Sequence, residues 1–415
     1  MKRIIIPIIL CISLLVLIPK EKQKLEIEKT NKIENSIAMY QSSDGTNYTE
    51  INKMPESGYK INESKSYCTI DNKTHTNAIL KTIDGDHTIA GLSKEDKCYL
   101  YFDIAGQTAS TILAGLTKST RPNFNTLTTD PGNTVYSLPD DDGTSYYYAG
   151  AAKNNYVKFA DKYWRIVRFN GDESIRLIYQ GTSATSTGTN SQIGTSAFNS
   201  SNSNNMYVGY KYTSGYVHGT ENNSTIKGVL DNWYTSNLTS YASKIDTNVG
   251  FCNDRESSTA NTSSNGSGGT GTTQTYYGGY IRFVTGGGWQ SNPTPTFKCK
   301  NISTDYFTVS GSNKGNKALQ YPIGLITADE VVTAGANGTA GNSSFYLYTG
   351  QPYWTITPSN FEYSNAIEFY VNTNGSLSGT NVGSTRGVRP VINLRADTLF
   401  QEGGTGTADN PYVVS

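Results

Sequence analysis

Apolar and polar positions along this chain change period several times, and each change predicts an element. Residues Ile4 to Ile18 form an apolar run broken only by Pro7, Cys11 and Ser13, behind the basic pair Lys2-Arg3. That order is an export signal, though short for a spanning helix, which usually needs ~20 residues. No small-x-small cleavage triplet lies close behind it, since Ser36-Ile37-Ala38 is too far downstream. An uncleaved anchor is therefore expected first, and a cleaved signal second. Lys20 to Asn35 mixes Lys and Glu densely, as a solvated helix or stalk does.

Beyond the stalk, alternation of period two begins. "NAILKTIDGDHTIAGL" predicts two strands around Asp84-Gly85, and "KCYLYFDI" (Lys97–Ile104) predicts another. "YWRIVRFNGDESIRLIY" (Tyr163–Tyr179) predicts a hairpin turning at Asn170-Gly171. The period then becomes helical. Ile226, Val229, Leu230, Trp233, Leu238 and Tyr241 make one stripe, with Ser224 or Thr225 as N-cap. In "YPIGLITADEVVTAGA" a short strand (Ile323–Ile326) precedes a helix with the capping-box pair Thr327 and Glu330, ended by Gly335. "YWTIT", "AIEFYV" and "RGVRPVINL" read as strands, the last at an edge or bulge because of Pro390.

The fold class expected is α+β: a large domain of antiparallel strands, two helices and long loops, preceded by a small all-β sandwich and the N-terminal membrane anchor. The expected divisions are 1–19 anchor or signal, 20–48 stalk, 49–105 disulfide-stapled sandwich, 106–145 linker and 146–415 large domain. Residues 181–205 and 257–275, almost all Ser, Thr, Gly and Asn, are expected as mobile loops, because they bring too little apolar area to order themselves.

Composition narrows the function. The formal net charge is zero over 415 residues, with no basic cluster, so nucleic acid is set aside as a partner. Leaving out Cys11, the even count of Cys68, Cys98, Cys252 and Cys299 suits an exported, disulfide-bonded protein. Cys68–Cys98 with Cys252–Cys299 keeps each bridge inside one domain; two pairs of free thiols are the alternative. No motif supports a cofactor or a catalytic set. Nucleophile elbow and HExxH are absent, and Asp140-Asp141-Asp142-Gly143 lacks the spacing of an EF-hand, so it reads as a solvated acidic turn. His218 reads as a loop histidine with no partner.

The segments "YWRIVRFNGD", "LDNWYTSNL", "YPIGLITADEV", "YWTITPS" and "GVRPVINL" together resemble uncharacterised surface proteins of low-GC Gram-positive bacteria. These are similar in turn to the C-type-lectin-like fold in its formylglycine-generating-enzyme variety. The resemblance covers roughly residues 145–394. It implies a terminal strand that carries Gly387-Val388-Arg389 and pairs with the strand holding Trp164. It does not imply the family's metal chemistry, because the paired-cysteine copper site, the three-histidine iron site and the Glu-Pro-Asn or Trp-Asn-Asp calcium signatures have no counterpart here.

What remains is binding. Tyr, Ser, Gly and Asn are the residues of antibody paratopes, and they dominate Ser359–Asn381. Tyr363, Asn365, Asn372 and Asn374 are candidate stacking and amide groups, Arg386 a candidate fork for an acidic group, and Trp289 in "GGGWQ" a candidate platform. Trp164, Trp233 and Trp354 are expected in the core, and Arg389 is expected to be structural, in an ion pair. The leading expectation is a membrane-anchored surface adhesin whose partner is a glycan or a host or bacterial surface protein. A secreted glycan-active enzyme using carboxylates such as Asp254 and Glu256, or a structural envelope component, are the alternatives.

Overall fold

The structure is a computed structural model that describes residues 37–42, 45–55, 59–83, 86–338 and 340–415. The expected anchor (1–19) and residues 20–36 of the expected stalk lie outside the described residues. Among those described, no helix is long and apolar enough to cross a membrane. The chain is mixed α+β, mostly strands with few helices, and forms two compact units: an N-terminal one of the described residues up to Met54 with Ile61–Phe102, and a large one of Asp103–Ser415 with Pro55–Lys60.

The N-terminal unit is built on β1 (Ile37–Ser42), β2 (Thr49–Ile51), β3 (Tyr59–Ile61), β4 (Tyr67–Ile70), β5 (Lys73–Thr74) and β8 (Lys97–Ile104), which form one six-stranded sheet. The hairpin of β6 (Ile79–Ile83) and β7 (Asp86–Ala90) forms a separate ribbon, and Ile83 pairs with Asp86 across the two-residue connection. β8 alternates as its sequence does. Cys98, Leu100 and Phe102 are buried, while Tyr99 and Tyr101 on the opposite face stack on Tyr67 and Tyr40 at 5.0 Å. Cys68 faces Cys98 in register and is bonded to it. Strand β1 begins inside the segment expected to be stalk; its alternation is too weak in sequence to announce a strand.

The large unit contains two large sheets, besides three two-stranded ribbons among the described residues. The first runs β22 (Val391–Leu394), β14 (Ile175–Gly181), β13 (Lys162–Phe169), β11 (Thr144–Tyr147), β10 (Thr134–Pro139) and β9 (Thr117–Ser119); β12 (Tyr156–Phe159) joins β13 to β23 (Tyr412–Val413). The second is β15 (Thr195–Ser196), β21 (Arg386–Gly387), β18 (Tyr353–Glu362), β17 (Thr275–Tyr277) and β16 (Ser257–Ser258), with β19 (Asn365–Val371) and β20 (Leu377–Asn381) continuing from β18. One core unites Trp164, Ile166 and Ile178 of the first sheet with Trp354, Ile356 and Phe369 of the second. Helices α2 (Thr225–Asn237) and α4 (Ala328–Ala334) supply Leu230 and Val331 to it; α1 is Ala109–Ala114 and α3 is Gly278–Phe283.

Local signals are met closely. The β13–β14 hairpin pairs Phe169 with Ile175 around Asn170–Ser174. Ser224 caps α2 through the Lys227 N–H, and Thr327 and Glu330 form the reciprocal box on α4, with Gly335 ending it at φ +120°.

Longer-range expectations need correction. The segment 106–145 is not a linker, for it supplies α1, β9, β10 and the first half of β11 to the large unit. Its strands are parallel or short and gain their burial from partners distant in sequence. The terminal strand pairs with β14, not with the Trp164 strand: Leu394 lies opposite Ile175 and Ile392 opposite Leu177. Residues Ile323–Ile326 form no ladder, only a bridge from Gly324 to Val391.

The polar segments 181–205 and 257–275 are not free loops. They carry β15, β16 and 3-10 turns, and bury Phe198, Ser191, Ser258 and Thr275. Asn205 stitches them together, its Nδ2 donating to the carbonyls of Thr270, Gly271 and Thr273 at 3.3, 3.1 and 2.7 Å. Such segments order through satisfied hydrogen bonds inside a surrounding core, which composition alone does not reveal.

Candidate functional site

Two places in the large unit gather chemistry-bearing side chains, and they differ in kind. The first is a buried ionic cleft. Arg168 and Arg176 are cross-strand partners on β13 and β14, so their side chains lie on one face of the sheet. Both reach Glu330 Oε1, at 3.0 and 2.5 Å, from the first turn of α4. Burial alone would raise the Glu330 carboxyl, but Arg176, Arg168 and the Thr327 N–H outweigh it and hold it below its ordinary range. One residue earlier, Asp329 takes a two-bond fork from Arg282 of α3 at 2.8 Å each, and Asp254 takes Arg282 Nη2 at 2.6 Å. Burial pushes the Asp254 carboxyl up and Arg282 only partly offsets it. The cleft these residues line, beside Cys252 and Tyr306, has room for about 20 Å³, the space of a water or two. Every carboxylate in it already holds a guanidinium.

Neighbouring acids are also consumed internally. Asp140 accepts from Ser145 Oγ at 2.6 Å and from Arg168 at 3.1 Å, while Asp141 Oδ2 accepts from the Cys299 N–H at 2.9 Å and Asp142 pairs with Lys314. The acidic run is thus an internal clamp and not a solvated turn. His218 is not alone either. Its Nδ1 lies 3.0 Å from Asp305, which also takes Arg255 at 2.9 Å. Asp254 and Glu256 do not face each other as an acid–base pair: Glu256 sits outside the cleft, bonded to Lys300 and Asn301. Among the described residues, no group of three or more His, Cys, Asp or Glu could hold a metal ion. Cys252 is bonded to Cys299.

The candidate binding residues are distributed over both ends of the β18–β19–β20 sheet. Ser359–Asn381 is mostly strand. Tyr363 and Asn365 lie at the β18–β19 turn. Asn372 and Asn374 lie at the β19–β20 turn, one strand length away, roughly 20 Å at the usual rise per residue. Asn374 Oδ1 accepts from the N–H and hydroxyl of Ser376, and Asn372 Oδ1 from the Thr373 N–H, so both amides shape their own turn. Arg386 is near this second end. Its guanidinium stacks 4.8 Å over Tyr370 and donates only to the Thr385 carbonyl. Trp289 stacks on Phe283 at 5.6 Å and fills the space a side chain on Gly338 would need, so it is packed and not a bare platform. Arg389 is structural, though by another route than an ion pair: it is fully buried and donates to the carbonyls of Tyr179 and Leu347.

The second place is the β18–β19 end. Tyr363 and Ser364 occupy the two central positions of a two-residue hairpin turn with φ +49° and +61°. Asn-Gly suits such a turn; a tyrosine there is strained. Tyr363 is also 87% exposed, the most exposed large hydrophobic side chain among the described residues. On one face beside it, side chains alternate in register. Tyr276 pairs with Asn360, and Gln274 Nε2 donates to Glu362 Oε1 at 3.0 Å and to the Tyr276 hydroxyl at 2.5 Å. Tyr280 packs on Tyr276 at 4.9 Å. On the far side of the turn, Asn365 Oδ1 accepts from Asn202 and Asn381 at 3.0 and 2.6 Å. Reading by segment finds Tyr363 and Asn365 but misses Gln274, Tyr276, Tyr280, Asn202, Asn381 and Glu362. The only local signal was the polar–aromatic alternation in "TQTYYGGY", and which strand it faces is set by register.

No protein-family model, no curated protein and no solved structure matches this chain.

Proposed function

We propose that this protein is a surface-displayed binding protein, held by its N-terminal apolar segment, which presents a ligand face at the β18–β19 end of a lectin-like domain to a glycan or a surface protein. The observation that carries this reading is Tyr363, a large ring almost fully in water on a left-handed backbone. Such a residue opposes local stability by about 1–2 kcal/mol and recovers nothing by burial, so its benefit lies elsewhere. Around it stand a carboxylate, amides and Tyr276 already held by hydrogen bonds, with Tyr280 packed on the Tyr276 ring, which spares ordering entropy on binding. The alternative of a carboxylate-dependent enzyme draws no such support, since the cleft acids are each neutralised by arginine.

The test is binding of the full chain in detergent to arrayed glycans and to intact cells, for the wild type and Tyr363→Ala. Saturable binding that falls at least tenfold in the variant supports the reading. Binding indifferent to Tyr363, or none at all, overturns it.

A further inference from the structure

The electrostatics of the same face narrow its ligand. We infer that the Tyr363 face takes an uncharged sugar unit, its ring stacked on Tyr363 and its hydroxyls donating to the Glu362 carboxylate, and that it rejects acidic sugars. This rests on the binding reading above.

Glu362 is the charged group of the cluster, and it has no ion-pair partner among the described residues within salt-bridge distance. Its oxygens accept one good hydrogen bond, from Gln274 at 3.0 Å, and a long one from Asn360 at 3.4 Å. A carboxylate offers about four acceptor positions, so room remains for two donors from outside. Vicinal sugar hydroxyls are such donors, and a hydrogen bond to a charged acceptor is worth roughly twice a neutral one. Burial and the Glu362 charge both push up the Tyr276 hydroxyl, while burial, then Tyr276 and Glu362, push up that of Tyr280. A ligand carboxylate or sulfate would meet the field of Glu362, which no described cation within salt-bridge distance offsets. The contrast within one sheet is direct, because Arg386, without a carboxylate partner among the described residues, sits at the opposite end.

The experiment uses the full chain and matched oligosaccharides: cellopentaose, maltoheptaose and N-acetyllactosamine as neutral probes, and sialylated N-acetyllactosamine as the acidic one. Neutral probes are expected to bind at least tenfold tighter than the acidic one at low salt. Glu362→Gln is expected to weaken neutral binding about tenfold and to shrink the neutral-to-acidic ratio towards one; Glu362→Asp, which keeps the charge, keeps the discrimination. Tyr363-dependent binding of the acidic probe as tight as the neutral ones overturns this inference and leaves the binding reading standing. No Tyr363-dependent binding of any probe overturns the sugar assignment; cell binding that still requires Tyr363 then preserves the broader reading and points to a protein partner. Circular dichroism of each variant separates lost binding from lost folding.

Discussion

The ionic cleft and the β18–β19 end are both rich in functional-looking groups, yet they behave oppositely. In and beside the cleft, Arg168, Arg176 and Arg282 face Glu330, Asp329, Asp254 and Asp140, and each of these charges is paired with an opposite one of the same chain. At the hairpin end, Tyr363 is out in water on strained backbone and Glu362 keeps acceptor capacity. On the proposed reading, density of charge is a poor guide to function, and the hairpin end differs in the binding capacity left over after the fold has used what it needs.

Breaking the cleft should give the largest effect. Arg282→Met leaves Asp254 and Asp329 buried without their cation and is expected to destabilise the large unit by about 3–5 kcal/mol, read as a lower denaturation midpoint. Ligand binding by the folded fraction should be unchanged, and a loss of binding in folded protein would put the cleft inside the site. Acid tests the same network. Glu330, Asp140 and Asp305 have folded pKa values below their ordinary ones despite burial. Their stabilisation is therefore present above the ordinary carboxylate range and lost as pH falls through the lower folded values. The midpoint should drop steeply there.

Next in size is the Cys252–Cys299 bridge, which closes a separation of 47 residues. Replacing both cysteines by Ala is expected to cost about 2–4 kcal/mol, read under non-reducing conditions as a matching downward shift in the thermal midpoint of the large unit; reductant should then shift that unit's midpoint no further, because the remaining Cys68–Cys98 bridge belongs to the N-terminal unit.

Glu368 sharpens the comparison from inside the β19 strand. It is fully buried and neither carboxyl oxygen has a hydrogen-bond partner; Arg255 Nη2 is buried and unpaired too. Burial raises the Glu368 carboxyl well above its ordinary value, with Arg255 only partly opposing. The penalty of ionising it in the fold is absent below the unfolded value of 4.5 and grows as pH rises towards the folded one. Glu368→Gln removes the ionisation but leaves a buried polar group in place, so its stability relative to the wild type should be flat below that unfolded value and rise with pH above it, by at most about 1.4 kcal/mol per pH unit. Thermal scans across pH 4–8 check this.

The smallest stability change belongs to the hairpin tip. Replacing Tyr363-Ser364 by Asn-Gly supplies the residues the turn prefers and should raise stability by up to about 1 kcal/mol while removing ligand binding. A variant both less stable and still able to bind would reverse the contrast drawn here.

Elements with local causes were legible. The Asn170-Gly171 hairpin, the Ser224 cap and the Thr327–Glu330 box each depend on residues a few positions apart, and each is present. The even cysteine count led to the two bridges the structure contains. Of the hairpin-end site, Tyr363 and Asn365 were legible from composition. Arg386, Asn372 and Asn374 were grouped with them by nearness in sequence, but a strand separates neighbours in sequence by its whole length. Strands β9 and β10 were not legible, since short strands acquire their burial only from partners elsewhere.

By itself, then, the sequence determined the period-two and helical stretches, their caps and turns, the mixed α+β class and the candidate tyrosine, because these follow from backbone preference and side-chain spacing over a turn or a strand. Only the tertiary structure decided that β22 lies against β14, that the acidic run locks onto Arg168 and Lys314, and that Gln274 and Glu362 meet beside Tyr363. Those outcomes depend on register and on which charges are enclosed together, and both are set by packing between segments tens to hundreds of residues apart.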